Sequence, residues 1–463
     1  MPVTPQNSHP IATTARRGLR IDAGTLLGIY TVALFVIPSN LIFPPLGAAG
    51  TPAGTLGILM LAWWCACRTV PSLWSPSSQP VRLAVLLFLL AVLASYVKVG
   101  LQPLQAVEIN SADRAILRVL SFIGVALVAA DGLRDREQLV SLLRRVLVCS
   151  TLVALVGIVQ FYSGFDVVQY VQIPGLTSNG QLISVGERSN LRRVAGTAAH
   201  PLEFGVVMAI TLGIAIHWLL TARRRLARQY VCVFLLALAA VLSGSRSAIL
   251  ATLVVLGTLY AGWDKRRRRA ALLMIPLVVI ALRLAAPGVL GTLVSLVRNA
   301  GRDDSIAGRT DDYAVAADFV ARDPLLGRGF GTFVPDVHII LDNQYLAMLI
   351  EGGVIGVASL FGLFGIAWCS ARGGRRVATD DAGRHLGQTL AACIAASSVV
   401  AATFDAFSFP MYFGLLGLLV GCCGAWWRIA RTEAQGLHPG AFGQAPVDYE
   451  LAPADRGAPS PPT

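Results

Sequence analysis

Long apolar runs separated by short polar breaks begin at Ala23 and continue almost to Trp427. A hydrocarbon core about 30 Å thick needs about 20 helical residues per crossing. On that scale the pattern predicts twelve helices, near residues 23–43, 52–68, 81–99, 113–131, 145–163, 199–220, 229–243, 245–263, 270–287, 343–368, 386–404 and 409–427. The stretch 229–263 is the test case, because a single helix over it would be about 52 Å long, too much for a bilayer. The basic runs on either side, Arg223-Arg224-Arg225 with Arg228 and Lys265-Arg266-Arg267-Arg268-Arg269, belong on one side of the membrane. Two short helices joined through Ser243-Gly244-Ser245-Arg246 satisfy both demands.

The expected fold class is therefore all-α, a polytopic membrane protein with about twelve transmembrane helices. No cleavable signal peptide is apparent, and the first apolar run is long enough to stay as an anchor. Residues 1–22 then form a cytoplasmic tail and 23–432 the membrane domain, with both termini cytoplasmic. Two external loops follow, near 164–198 and 288–342; loops as long as the second are usually functional or disordered. The Pro-, Ala- and Gly-rich segment 433–463 reads as a disordered cytoplasmic tail.

Composition agrees. The chain has 463 residues, 55% hydrophobic and only 14% charged, against about 25% charged in an ordinary soluble domain. That excludes a soluble enzyme and a disulfide scaffold. The excess of 38 Lys+Arg over 26 Asp+Glu collects in alternate short loops and termini, a topology signal rather than a nucleic-acid footprint. The eight Cys lie in or beside apolar runs without metal-ligand spacing, and read as small buried hydrophobes.

Four segments at the external face could carry chemistry. Arg192-Arg193-Val194-Ala195-Gly196-Thr197 runs through His200-Pro201-Leu202-Glu203 into the sixth helix; Pro201 suits a first turn, and a helix N-terminus favours anions. Ser243-Gly244-Ser245-Arg246-Ser247 is the hairpin turn, with Arg246 at the outer boundary. Gly308-Arg309-Thr310-Asp311-Asp312-Tyr313 heads an external amphipathic helix that Thr310 or Asp311 can cap, ended by Pro324 before Leu325-Leu326-Gly327-Arg328-Gly329-Phe330-Gly331. That glycine run follows a helix rather than a strand, so it is not a nucleotide loop. Asp303, Asp304, Asp311 and Asp312 could hold a divalent cation, but loop and capping roles suit them better, and no metal site is expected. Last comes Leu341-Asp342-Asn343-Gln344-Tyr345-Leu346, with Glu351-Gly352-Gly353 beyond it. Asp342 can cap the tenth helix and is also well placed to address a lipid-borne substrate. The charge of Glu351, deeper in the helix, needs a reason.

Taken in order, Arg-x-x-Gly-Thr-x-x-x-Pro, the Ser-Gly-Ser-Arg-Ser hairpin, Gly-Arg-x-x-x-Tyr with Pro-Leu-Leu-Gly-x-Gly-x-Gly, and Asp-Asn-x-Tyr-Leu with Glu-Gly-Gly-x-x-Gly resemble the O-antigen ligase and polymerase superfamily over roughly 190–368. The resemblance implies a membrane-embedded C-type glycosyltransferase in a bacterial plasma membrane, with its site facing outward. It implies a donor glycan on undecaprenyl diphosphate and no metal or cofactor. Arg193 and Arg309 would hold the diphosphate, with Arg246 in support and Asn343, Tyr345 and Tyr313 as further substrate contacts. Partners would be the lipid-linked glycan, the bilayer, and a flippase and chain-length regulator of the same pathway. Ligases of the superfamily usually carry His where this chain has Asp342, which favours a surface-polysaccharide polymerase over a ligase.

The chemistry asks for fixed positive charge at the leaving diphosphate and a base within reach of an acceptor hydroxyl. Asp342 is the first candidate base, with His338, Glu203 and His200 as alternates. A flippase is the rival from another class; its signature would be mid-membrane charges, for which Arg118, Arg283 and Asp405 are the few candidates.

Overall fold

The computed structural model describes residues 22–70, 79–180, 185–188, 191–222, 226–285, 313 and 315–436. Each apolar stretch of the sequence becomes one long α-helix. They are α1 (Ala23–Val36), α2 (Pro52–Arg68), α3 (Pro80–Val97), α4 (Ala106–Gly132), α5 (Arg136–Ser163), α6 (Pro201–Thr221), α7 (Leu226–Leu242), α8 (Arg246–Gly262), α9 (Lys265–Ala285), α10 (Gln344–Val377), α11 (Asp381–Val400) and α12 (Pro410–Ala434). Among the described residues six of these, α3, α4, α5, α6, α10 and α12, are long and apolar enough to cross a membrane. The shorter α1, α7 and α8 are apolar but stop at 10–17 residues. The chain is a mostly helical, multi-pass membrane protein, with six helices among the described residues meeting the length and apolarity of a full crossing where about twelve were expected.

Several boundaries differ from expectation for visible reasons. The first helix ends at Val36 rather than near 43, because Pro38 denies it a donor and the chain turns into an extended pair, β1 (Leu41–Ile42). That strand lies antiparallel to β2 (Thr177–Ser178), and a second ladder pairs β3 (Val185–Arg188) with β4 (Leu191–Val194). An all-α reading misses these small sheets, which lie in the α5–α6 connection and, for β1, in the α1–α2 connection. The hairpin expected at 243–245 is present, turned through Gly244 at φ +60°. Helix is also present over 315–322, where the external amphipathic helix was expected; the residues expected to cap it, Thr310 and Asp311, lie outside the described part.

The core is built from helix faces that meet closely. α4 packs on α2 and α12, α11 on α8 and α10, and α6 on α7 and α8. Aromatic side chains fill the centre, with Phe122 stacked on Phe413 at 4.7 Å and edge-on to Phe88 at 6.2 Å.

α10 is not a continuous rod. It breaks at Gly353 (φ +61°, ψ −164°), in a region of backbone space open essentially to glycine alone. The preceding loop threads into the break: Val354 N–H donates to Pro324 O at 2.9 Å, Arg328 N–H to Ile350 O at 2.8 Å, and Gly329 N–H to Glu351 O at 3.0 Å. A Cβ on Gly327 would lie 2.4 Å from the Glu351 carbonyl carbon, and one on Gly353 the same distance from that of Leu325. The glycine-rich run is thus a wedge that satisfies the backbone groups freed by a broken membrane helix.

Candidate functional site

Four helix N-termini border one short loop, residues 401–409, between α11 and α12. α6 is capped by His200, whose Nδ1 accepts from Leu202 N–H at 3.1 Å. α8 begins at Arg246 with Ser245 as its cap. α10 is capped by Asn343, whose Oδ1 accepts from Tyr345 N–H at 3.0 Å and Leu346 N–H at 3.2 Å. The first N–H groups of α12, from Met411 and Tyr412, donate to the Glu203 carboxylate at 2.6 and 3.0 Å.

The loop itself is pinned to three of these ends. Gln344 N–H donates to Ala401 O at 2.8 Å, and the Gln344 side-chain oxygen accepts from Phe407 N–H at 2.7 Å. Thr403 donates to the Ser247 hydroxyl at 2.8 Å. His200 lies beside Phe409, ring centres 6.0 Å apart. Helix N-termini carry partial positive charge, so this face favours anions before any side chain is added.

Arg193 projects from β4 and donates from Nε to Ser243 O at 3.0 Å, which ties it to the α7–α8 turn next to Arg246. His200 stands within the fields of both Arg193 and Asp342. Burial and the Arg193 charge hold its imidazole below the usual 6.5, Asp342 pulling the other way, so the ring is neutral near pH 7. Asp405, half-buried in the loop, lies within the fields of Asp342 and of Arg118 from α4. Burial raises its carboxyl above the usual range, against the Ser408 hydroxyl and the Arg118 charge, while Asp342 adds to the rise. Arg193, Arg246, His200, Asp342 and Asp405 therefore share one face, with Asp342 exposed on it.

Not every expected residue joins them. Asp342 does not cap α10; Asn343 does, which leaves Asp342 without that structural duty and commits Asn343 to it. Glu203 is fully buried, and besides the two α12 donors it accepts from Ala199 N–H at 2.8 Å, so its charge is an internal staple between α6 and α12. Tyr345 turns into the bundle, donating to Ser398 O at 2.7 Å and stacking on Phe361 at 4.6 Å. Tyr313 is exposed, and Arg309 lies outside the described residues.

His338 belongs to a second cluster. Its Nε2 is 3.0 Å from Glu108 Oε1 and 2.8 Å from an Arg328 nitrogen, while Arg328 also pairs with Glu108. Phe333 stacks on the imidazole at 4.7 Å and Phe319 meets it edge-on at 5.6 Å. This cluster clamps the segment 319–338 to the start of α4, helped by Gln102, which donates to Arg328 O at 3.0 Å. Glu351, whose charge needed a reason, accepts from Phe333 N–H at 3.0 Å and holds the same segment from below.

Sequence reasoning missed Glu108, Arg328 and the placement of Asp405. Glu108 had a signal, since it closes a capping box with Gln105. Asp405 was legible only as a charge between two apolar runs.

Residues 231–361 match the family model described as O-antigen ligase. The match takes in α7, α8, α9 and the first half of α10, with Arg246, His338, Asp342 and Asn343. No curated protein matches the chain.

Proposed function

Because the chain carries an O-antigen ligase family segment across residues 231–361, we propose that it is a surface-polysaccharide polymerase working at the outer face of a bacterial plasma membrane. Its donor is a glycan on undecaprenyl diphosphate, and its acceptor a sugar hydroxyl of another repeat unit. All twelve helices cross or enter the bilayer, with both termini cytoplasmic. The observation that carries the reading is the gathering of four helix N-termini with Arg193, Arg246 and Asp342 around the 401–409 loop.

In the proposed reaction Arg193, Arg246 and Arg309 hold the diphosphate through planar, always-charged donors. Asp342 accepts the proton of the acceptor hydroxyl. That oxygen bonds to the anomeric carbon while the bond from the same carbon to the diphosphate oxygen breaks. The electron pair leaves on the lipid diphosphate, with inversion at the sugar. The activated donor supplies the energy, and the guanidinium groups with the helix termini provide the electrostatic stabilisation a metal would give.

A second reading is favoured by the matched model's own description. A ligase would move a finished glycan to a lipid or protein acceptor using the same donor subsite. Asp342, at the position where ligases carry His, argues for the polymerase. A deletion strain tests the choice. Accumulated single repeats on undecaprenyl diphosphate, or surface material shortened to single units, is the expected result. Normal-length chains stranded on the lipid would move the assignment to the ligase. Arg193→Ala should abolish turnover with the protein still inserted, and Arg193→Lys should restore only part of it.

A further inference from the structure

α9, which starts at the end of the bundle opposite the Arg193–Asp342 face, behaves unlike its neighbours. Its nine residues 272–280 are all exposed. At 3.6 residues per turn nine consecutive positions cover every side of a helix, so among the described residues none covers a side of this shaft. Leu273 is 79% exposed and Leu277 57%, and Ile275 and Ile280 are more than half exposed too. Both ends are nevertheless tethered. The start follows α8 directly, with Arg268 donating to Tyr260 O at 3.0 Å and Ala261 O at 2.9 Å. The far end packs Leu282 into the core, and Tyr162 of α5 donates to Ala285 O. Between the tethers lies a stretch of apolar, exposed helix about 18 Å long, from the 1.5 Å rise over residues 270–281.

The start of that stretch, at the α8 C-terminus, is basic. Arg375 donates to Gly262 O at 2.9 Å and shares the Gln388 side-chain oxygen with Arg372, which is 3.1 Å from it. Arg375 also stands in the repulsive fields of Arg372 and Arg384. Arg384 has Asp381 as partner. Asp381 lies in the field of Arg267 and Asp264 caps the turn that carries it, which leaves Arg268, Arg372 and Arg375 crowded on the C-terminal carbonyls of α8 with no carboxylate partner among the described residues. Carbonyl bonds at a helix C-terminus explain one such arginine, not this many from two other helices.

We propose that an anionic phospholipid occupies this site, its phosphate among Arg268, Arg372 and Arg375 and an acyl chain lying along the exposed apolar shaft of α9. The charge selects the occupant. A second protein copy would bring its own basic runs to the same place, and a zwitterionic lipid would leave the cations unneutralised. The end of the bundle selects it again, because the diphosphate of the proposed donor belongs at the other end.

The test uses the full chain in nanodiscs. Wild type in phosphatidylcholine is compared with wild type given phosphatidylglycerol, by thermal unfolding and by mass spectrometry of lipids retained after gentle delipidation. Retention should favour phosphatidylglycerol. Each arginine near an anionic headgroup is worth about a fivefold preference, so Arg372→Gln with Arg375→Gln should cut it by tenfold or more. Unfolding in pure phosphatidylcholine reads the loss of the Gly262 and Gln388 bonds separately from the lipid preference. Equal retention of the two lipids by wild type, which involves no variant, would overturn the proposal. So would an undiminished preference in the double variant, or disulfide cross-links between cysteines placed on α9 of two copies.

Discussion

Asp342 and Asn343 are adjacent and carry different duties. Asn343 holds the first turn of α10 through two backbone N–H bonds. Replacing it by Ala should cost about 0.5–2 kcal/mol of stability, read as a lower unfolding temperature. Asp342→Asn keeps the shape and should leave that temperature unchanged. If Asp342 is the base, turnover of purified lipid-linked donor should fall by about 10²–10⁴ while donor binding survives. Near-normal turnover would remove Asp342 from the chemistry and turn attention to Asp405. His200 gives a pH signature of its own. Its Nδ1 caps α6 only while unprotonated, and its pKa lies below the ordinary 6.5. The unfolded chain then takes up the proton more readily, so this stability is complete above about pH 6.5 and lost as pH falls toward the folded value. His200→Asn supplies a cap that does not titrate. The acid-side slope of stability should flatten, by about 1 kcal/mol at most; an unchanged slope would show that the cap bond contributes nothing.

The element that most repays attention is the broken helix α10. Gly353→Ala places a Cβ 2.4 Å from the Leu325 carbonyl, at a φ that disfavours any side chain. It should cost at least about 1–3 kcal/mol. Gly362→Ala in the same helix has nothing within 4 Å of the added carbon and should be neutral or stabilising by about 0.4–1 kcal/mol. Thermal unfolding of the two variants side by side separates a special backbone position from general glycine loss. The helices themselves were legible in the sequence because bilayer thickness dictates the length of each apolar run. The wedge was not. Pro-Leu-Leu-Gly-x-Gly-x-Gly and Glu-Gly-Gly could be seen as two motifs, but what joins them is backbone against backbone, which leaves no complementary side-chain pattern. The 401–409 loop escaped for the same reason: its ties to α10 run through Ala401 O, Phe404 O and Phe407 N–H, which any residues could supply. Asn343 in place of Asp342 as cap was a choice between two equally good capping residues, decided by where α10 begins.

For the whole molecule, the starts of α6, α8, α10 and α12 lie at one end and the arginine cluster around the α8 C-terminus at the other. The positive-inside rule expects the basic loops on the cytoplasmic side. Reporter fusions after residues 180 and 336 should therefore be active only outside the cytoplasm, and fusions after 267 and 376 only inside it. A cytoplasmic signal at 336 would put the donor's diphosphate on the wrong side and sink the proposed reaction. Glu203 has a bearing on biogenesis as well. Its carboxylate lies in α6, yet two of the donors that make its burial tolerable come from Met411 and Tyr412, more than two hundred residues later. While the ribosome is still translating, α6 holds a charge awaiting its partners, and the loop bearing Asp405 has no far anchor. The face proposed to meet lipid-linked glycan thus closes only when the final helix has been inserted. A nascent or prematurely ended chain has no half-built site with which to divert donor from the pool.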